Sequence, residues 1–218
     1  GKIYSSTVTK GPTAEAYVLL DGVSGTYVST PNGAANQIVG DLTVIAWVAP
    51  NTWASAQAIA AKWTATGSER AWQFTLDASG HLALRVTDDE TDSGSAVTSG
   101  VVTGFADGEG GWVRFTLDIS TGDTDFYVSS QPIGTNPLSI SWTANGSQGD
   151  LSAETSIADV TALVEIGSTT SGAGSRLTGK ISRALVIAST DPTAAPVVDF
   201  YPQPYLQGDT NFTSVTGE

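Results

Sequence analysis

Leu82-Ala83-Leu84-Arg85-Val86-Thr87 alternates large apolar residues with small or polar ones, and Val113-Arg114-Phe115-Thr116-Leu117-Asp118 repeats this pattern. Successive side chains of a strand point to opposite faces, so a period of two places one face in a core and the other in water. Thr43–Val48 is apolar and β-branched along most of its length, which predicts a more deeply buried strand. These segments favour antiparallel sheets.

Similar short segments and turns follow along the chain. Asp77–Gly80 and Ser120–Asp123 have the composition of hairpin loops. No window of about 12 residues carries a helical stripe, and Leu151–Val160, the nearest, has Ser, Thr and Asp where a helix favours Ala or Leu. The chain is therefore predicted to be all-β, a sandwich or a barrel. Further strands are predicted at Tyr17–Leu20, Thr26–Ser29, Ala58–Lys62, Ala71–Leu76, Val97–Thr103, Asp125–Ser129, Leu138–Trp142, Ala162–Ile166 and Gly179–Ile187.

The composition limits the classes of function. With 40% apolar residues in a chain of 218, a packed core is expected and wholesale disorder is excluded. The formal net charge is −13, which repels phosphate backbones and anionic membrane surfaces, so a nucleic-acid partner is not expected. No apolar run approaches the roughly 20 residues that a membrane helix needs, so membrane insertion is not expected either. The sequence has no Cys, which excludes disulfides, thiolate metal sites and a cysteine nucleophile.

The chain is predicted to hold one domain with two short extensions. Residues 1–16, polar and Thr-rich with Gly11-Pro12, suggest an N-terminal arm that lies on a neighbouring molecule. Residues 17–190 form the predicted β-sandwich. Residues 191–218 follow as a docking tail, because the two prolines in Asp191–Pro196 are expected to stop strand pairing.

An ordered set of motifs covers nearly the whole body. Leu20–Val23 with Tyr27–Pro31, and then the Trp-bearing segment Leu42–Val48, resemble the opening motif and buried strand of the laminin-G-like, concanavalin A-like jelly rolls. The resemblance implies a two-sheet antiparallel β-sandwich. Lectins, adhesion modules, glycan hydrolases and structural attachments share that fold, so the fold alone does not give the function. Later segments that are similar to the family are Ile59–Trp63, Trp72–Phe74, Gly80–Leu82, Trp112–Asp118, Asp125–Val128, Val164–Gly167 and Leu177–Ile181.

The overall composition also resembles that of surface proteins of the virions of tailed actinobacteriophages, because it is acidic, lacks Cys and is rich in Thr, Gly, Ala and Asp. Asp199-Phe200 and Thr213–Glu218 are similar to segments of such head or tail proteins. This resemblance implies a non-enzymatic capsid-decoration or tail-associated protein on the virion surface. Its partners would be other virion proteins and copies of itself, for example in a trimer, and it would help adhesion to host glycans.

Two other functions stay open, a calcium-dependent carbohydrate-binding module and a glycan hydrolase. Calcium prefers clustered oxygen ligands, and the acidic run Asp88, Asp89, Glu90 and Asp92 is the candidate site. A solvated acidic turn is the alternative interpretation of that run, because Ser93-Gly94-Ser95 follows it as in a loop tip.

Aromatic side chains beside Asn or Asp suit sugar stacking. The pairs Asn51 with Trp53 and Trp142 with Asn145 are the candidate carbohydrate-binding residues. The alternative is that these tryptophans cover an edge of the sandwich or lie in a subunit contact.

No catalytic residue is predicted. Glycan hydrolases of this fold carry a Glu-x-Asp-x-Glu strand, whereas Asp88–Asp92 has the order Asp-x-Glu-x-Asp, in which the shorter Asp side chains would not reach the sugar correctly. His81 is the one histidine, so a zinc site with several histidines is not expected, and no Gly-x-Ser-x-Gly motif accompanies it.

Overall fold

The computed structural model describes residues 2–4, 8–10 and 15–202, and nearly every regular element in it is a β-strand. Two short 3₁₀ turns, Ala34–Asn36 and Pro137–Ser139, are the helical elements of the described chain. None of the described helices is long and apolar enough to span a bilayer. The strands are β1 (Lys2–Tyr4), β2 (Val8–Lys10), β3 (Ala16–Asp21), β4 (Tyr27–Thr30), β5 (Leu42–Pro50), β6 (Gln57–Thr64), β7 (Glu69–Leu76), β8 (His81–Val86), β9 (Ser95–Val102), β10 (Gly111–Asp118), β11 (Asp123–Ser129), β12 (Thr143–Ala144), β13 (Gly149–Asp150), β14 (Val164–Ile166), β15 (Thr178–Ile187) and β16 (Val198–Phe200).

The strands form two antiparallel sheets. The order of the first, with seven described strands, is β1-β4-β14-β6-β7-β8-β9. The order of the second is β12-β11-β10-β5-β15-β3-β2, with β13 paired to β11 and β16 to β15, which makes nine described strands. We call them the seven-stranded and nine-stranded sheets. The predicted two-sheet antiparallel β-sandwich is confirmed.

One core lies between the two sheets. The alternation in β8 places Leu82, Leu84 and Val86 in it, each fully buried, as expected from burying one face of a strand. Contacts between aromatic rings join the sheets directly, because Phe74 of β7 meets Phe115 of β10 edge to face, with ring centroids 5.0 Å apart.

A second apolar cluster covers the outer face of the nine-stranded sheet. Ile45, Trp112 and Leu185 are buried there, under residues that include Ile140 and Trp142. The segment predicted as strand Leu138–Trp142 is not a strand. It begins in a 3₁₀ turn with Pro137 at its start, and it packs as a cover on this cluster. Pro has no backbone N–H to donate to a ladder, which explains the difference.

The two ends of the described chain join the sandwich. In the predicted N-terminal arm 1–16, β1 pairs with β4 and β2 pairs with β3, so these described strands extend this chain's own sheets. In the predicted tail 191–218, β16 pairs with β15, and its Val198 and Phe200 are buried in the main core. Residues 203–218, with the motif Thr213–Glu218, lie outside the described residues.

Candidate functional site

The outer face of the seven-stranded sheet carries a block of polar side chains on β7, β8 and β9. Strand register places Gln73 opposite Arg85, and Arg85 opposite Ala96. The next outward row holds Thr75 and Thr98, on either side of Ala83. Directly opposed residues share a face of the sheet, so these side chains all point away from the core.

This face holds a cleft of about 310 Å³, which we call the sheet cleft. Alanines alternate with the polar residues, and their short side chains form a low floor. Side-chain amide, hydroxyl and guanidinium groups stand around this floor. The cleft is thus suited to a ligand rich in hydrogen-bonding groups. Its described lining residues are Ala56, Gln57, Gln73, Thr75, Leu76, Asp77, Ala78, Ala83, Leu84, Arg85, Ala96, Val97, Thr98 and Ser175.

The charges of the sheet cleft are already engaged by protein groups. Arg85 Nη1 donates to the carbonyls of Ser93 at 2.8 Å and Gly94 at 3.3 Å. Asp77 Oδ1 accepts from the backbone amides of Ser79 and His81, and Asp77 Oδ2 lies 2.9 Å from His81 Nδ1. Burial by itself would raise the pKa of Asp77, but these hydrogen bonds outweigh it and hold the pKa below its usual value.

The loop 167–176 borders the sheet cleft and is fixed by a buried carboxylate. Glu165 of β14 is fully buried; its Oε1 accepts from the Ser171 amide at 2.7 Å, and its Oε2 from Ser168 Oγ at 2.6 Å and the Gly172 amide at 3.0 Å. Thr170 and Ser171 have positive φ angles of 59° and 54°, an uncommon conformation that these bonds help to hold. Ser175 of this loop lines the sheet cleft.

A second cleft of about 260 Å³ lies beyond the β7–β8 turn, and we call it the loop cleft. Trp53 and Phe105 line it together, with ring centroids 5.0 Å apart. Trp53 is held by two hydrogen bonds, from its amide to Asp107 Oδ1 and from its indole nitrogen to the Glu109 carbonyl. Exposed Val102 and Asp107 form part of its walls.

Comparison with known families identifies the superfamily of the chain. A family model described as the concanavalin A-like lectin/glucanases superfamily matches residues 21–187, which is more than half of the chain. The chain belongs to the concanavalin A-like superfamily. A search of curated proteins finds no sequence of significant similarity.

Solved structures of other proteins resemble the chain in fold. The carbohydrate-binding module CBM40 of the Ruminococcus gnavus IT-sialidase, bound to α2,3-sialyllactose, has a TM-score of 0.58 at 11% identity, over 79% of this chain and 90% of that one. The heptameric pentraxin of Limulus polyphemus gives 0.54 at 15%, over 84% and 82%. The enzymatically active domain of tailspike protein 2 of bacteriophage CBA120 gives 0.50 at 13%, over 84% and 27%.

The four residues predicted as a calcium site do not converge in this concanavalin A-like domain. Asp88 Oδ2 accepts from the amide and hydroxyl of Thr155, whereas Asp89 Oδ1 accepts from Thr91 and Asp92 Oδ1 from the Ser93 amide. Glu90 is exposed at the loop tip. Within the described residues, no group of three or more His, Cys, Asp or Glu is placed to hold a metal ion. The run thus has the geometry of an acidic turn.

The predicted sugar-stacking pairs do not form stacking platforms. Trp53 is only 4% exposed, and it lies at the floor of the loop cleft while Asn51 is exposed. Trp142 lies on the nine-stranded sheet, where the Arg114 guanidinium stands 4.6 Å from its ring centroid, and Asn145 is 5% exposed and donates to the Val102 carbonyl. Neither pair forms an exposed ring beside an amide.

Sequence reasoning did not identify the residues of the sheet cleft. Gln73, Thr75, Arg85 and Thr98 are the polar members of alternating strands, so their outward direction was predictable from the period of two. Their assembly into one cleft depends on the register between β7, β8 and β9, which no local sequence signal determines.

Proposed function

We propose that the protein is a glycan-binding module and that the sheet cleft is its binding site. The observation that carries this proposal is the set of amide, hydroxyl and guanidinium groups that surrounds a low alanine floor. Sugar hydroxyls both donate and accept, so they pair with such groups from Gln, Thr and Arg. The resemblance to CBM40 supports the proposal at the level of fold.

The ligand is proposed to be a neutral glycan. The chain has a net charge of −13, and both Asp77 and Arg85 line the sheet cleft, so its lining has no excess of positive charge. Arg85 already donates to two carbonyls, which leaves it less suited to bind a carboxylate in the bidentate geometry that guanidinium groups favour. Sialylated sugars, such as the ligand in the CBM40 structure, serve as the charged comparison in the binding test.

The protein is proposed to act without catalysis. Glycoside hydrolysis requires two carboxyl groups on either side of the scissile bond. Of the described residues that line the sheet cleft, Asp77 alone carries a carboxyl group. Its lowered pKa keeps it ionised, whereas a general acid requires a raised pKa.

The test is a glycan array followed by titration calorimetry. The probes are chito-, cello- and malto-oligosaccharides, with α2,3-sialyllactose and lactose as a charged and neutral pair. Ala96 is exposed on β9 within the sheet cleft, so Ala96→Trp would fill the cleft without disturbing the core. Binding is expected to weaken by about tenfold or more, since the lost contacts are worth several net hydrogen bonds.

The matched control is Ala144→Trp, which adds the same side chain at an exposed position on β12, in the other sheet. It should bind like the wild type. Absence of binding to every probe at high protein concentration would overturn the proposal. Equal weakening by both variants would show that the sheet cleft is not the site.

As a second function, we propose a place on the surface of a phage particle, as a capsid-decoration or tail-associated protein. Its support is the acidic, Cys-free composition, which resembles such virion proteins. Glycan binding is compatible with this location, since a surface domain of this kind would help the particle adhere to its host. Mass spectrometry and electron microscopy of purified particles test the proposal, and a chain missing from the particles would refute it.

Self-association is part of the same proposal, with a trimer as the expected assembly. Closed symmetric contacts are the usual arrangement of homo-oligomers, and attachments on a particle follow its local symmetry. Light scattering at working concentration should give a mass of about three chains. A monomer would contradict the trimer and leave the glycan proposal standing.

A further inference from the structure

The sheet cleft and the loop cleft are direct neighbours. Ala78 lines the first and Ser79 lines the second, and these consecutive residues are joined by a trans peptide bond. Their Cα atoms are therefore only about 3.8 Å apart. The β7–β8 turn, residues 77–80, forms a ridge with one cleft on each side.

This ridge is rigid. Asp77 Oδ1 accepts from the amides of Ser79 and His81, and the Gly80 amide donates to the Asp77 carbonyl at 3.1 Å. The amide of Thr103, which also lines the loop cleft, donates to the Gly80 carbonyl at 3.3 Å. A Cβ atom at Gly80 would lie 3.3 Å from the Trp53 carbonyl, so the turn also packs closely on the floor of the loop cleft. The two clefts thus keep a fixed relation before any ligand binds, which lowers the cost of binding across both.

We propose that the loop cleft is a second sugar subsite, so that the protein binds an extended neutral oligosaccharide that crosses the ridge. This inference rests on the proposed function of the sheet cleft. Each cleft alone is near or below the lower end of the range of about 300–1,000 Å³ for small-molecule sites, which matches a few sugar units at most. An oligosaccharide consists of repeated units, so the unit that reaches the loop cleft has the same chemistry as the unit already bound in the sheet cleft.

The lining of the loop cleft fits a neutral sugar. The half-buried Phe105 ring and the exposed Val102 side chain offer apolar contact to the C–H groups of a sugar ring, and the Ser79 hydroxyl is a hydrogen-bonding group. Asp107 lines this cleft and Glu109 lies in the same loop, where both are exposed. Their negative charge disfavours uronic or sialic acids at this subsite.

The experiment measures affinity against chain length, with chito-, cello- and malto-oligosaccharides of one to six units. In the wild type, oligomers long enough to reach the loop cleft should bind about tenfold more tightly than oligomers that fill only the sheet cleft. Affinity should then level off with further length. Ala54 is exposed and lines the loop cleft, so Ala54→Trp would fill this cleft alone. This variant should bind the short oligomers as the wild type does and lose the gain with length.

The outcomes separate the two proposals. If no oligomer of any length binds, the glycan-binding function itself is overturned. If short oligomers bind and added units bring no gain, the second subsite is overturned and the sheet cleft is retained. A gain with length that survives Ala54→Trp, or a loss of short oligomers in that variant, would also overturn the second subsite. The Ala144→Trp variant is the control for a large side chain elsewhere on the surface.

Discussion

Lys62 is a buried cation in the seven-stranded sheet, and its side chain is only 1% exposed. Its Nζ donates to Asn32 Oδ1 at 2.7 Å and to the Ala162 carbonyl at 2.8 Å. Loss of hydration lowers the pKa of Lys62 from 10.5 to about 8, against the opposing attraction of Asp159 and Glu69. The folded state therefore disfavours the charged form of Lys62 more than the unfolded state does.

This shift predicts an unusual dependence of stability on pH. Between pH 8 and 10.5 the unfolded chain keeps a proton on Lys62 that the folded chain has lost, so the free energy of unfolding should rise with pH across this window. The full gain corresponds to about 3 kcal/mol. Chemical denaturation of the wild type and of Lys62→Met, compared pH by pH, measures it. The variant lacks the titrating group, so identical pH profiles for the two proteins would contradict the prediction.

At the level of single residues, the sequence predicted burial better than it predicted the site. The alternating pattern of Leu82–Thr87 predicted one core-facing side, and Leu82, Leu84 and Val86 are fully buried. Trp53 was a candidate for sugar stacking, with cover of a sandwich edge as the alternative, and the loop 104–110 holds it through Asp107 and Glu109. Such contacts join residues more than fifty positions apart, and no local pattern reveals them.

At the level of elements, the loop 167–176 is fastened by Glu165. A glutamine at this position would turn an N–H toward one of the donors that now point at the carboxylate, whichever way its amide is oriented. We expect Glu165→Gln to lower the free energy of unfolding by about 1–3 kcal/mol. Amide hydrogen exchange should become faster at Ser171 and Gly172, whose N–H groups donate to Glu165.

The matched control for this prediction is Glu90→Gln, which removes the same charge at an exposed loop tip. It should change neither the stability nor the exchange rates by a measurable amount, as is usual for surface substitutions. Unchanged exchange at Ser171 and Gly172 in Glu165→Gln would show that the buried carboxylate does not hold the loop.

Strands were the elements that the sequence predicted most reliably. Alternating apolar residues indicated β8 and β10, and Gly80, with φ of 84°, closes the predicted hairpin between β7 and β8. The strand predictions failed where tertiary packing, and not the local sequence pattern, determines the structure. Leu138–Trp142 is apolar because it covers a cluster on the outer face of a sheet, and β16 pairs with β15 although Pro196 closely precedes it.

At the scale of the whole molecule, the fold was predictable and the clefts were not. Fold class follows from many strands whose patterns agree, so an error in one of them changes little. Each cleft is assembled from the β7–β8 turn and from strands or loops that are distant in sequence, as with Ser175 and Ala96 around the sheet cleft. Only the pairing of the strands brings these residues together.

The net charge of −13 provides a last test of the proposed ligand class. Salt screens charge–charge interactions, with a Debye length of about 10 Å at 0.1 M ionic strength and about 3 Å at 1 M. A neutral oligosaccharide makes hydrogen bonds and ring contacts, which salt affects weakly. The dissociation constants of chito-, cello- and malto-hexaose, for whichever bind, should therefore change by less than about twofold between 50 and 500 mM sodium chloride. For an acidic sugar, the affinity should instead fall with added salt where attraction to Arg85 dominates, and rise where repulsion by the acidic surface dominates. Titration calorimetry at four salt concentrations, with α2,3-sialyllactose as the charged comparison, distinguishes the two cases. A steep salt dependence for the hexaoses would contradict the prediction. Tighter binding of sialyllactose than of lactose would show that the sheet cleft selects charge.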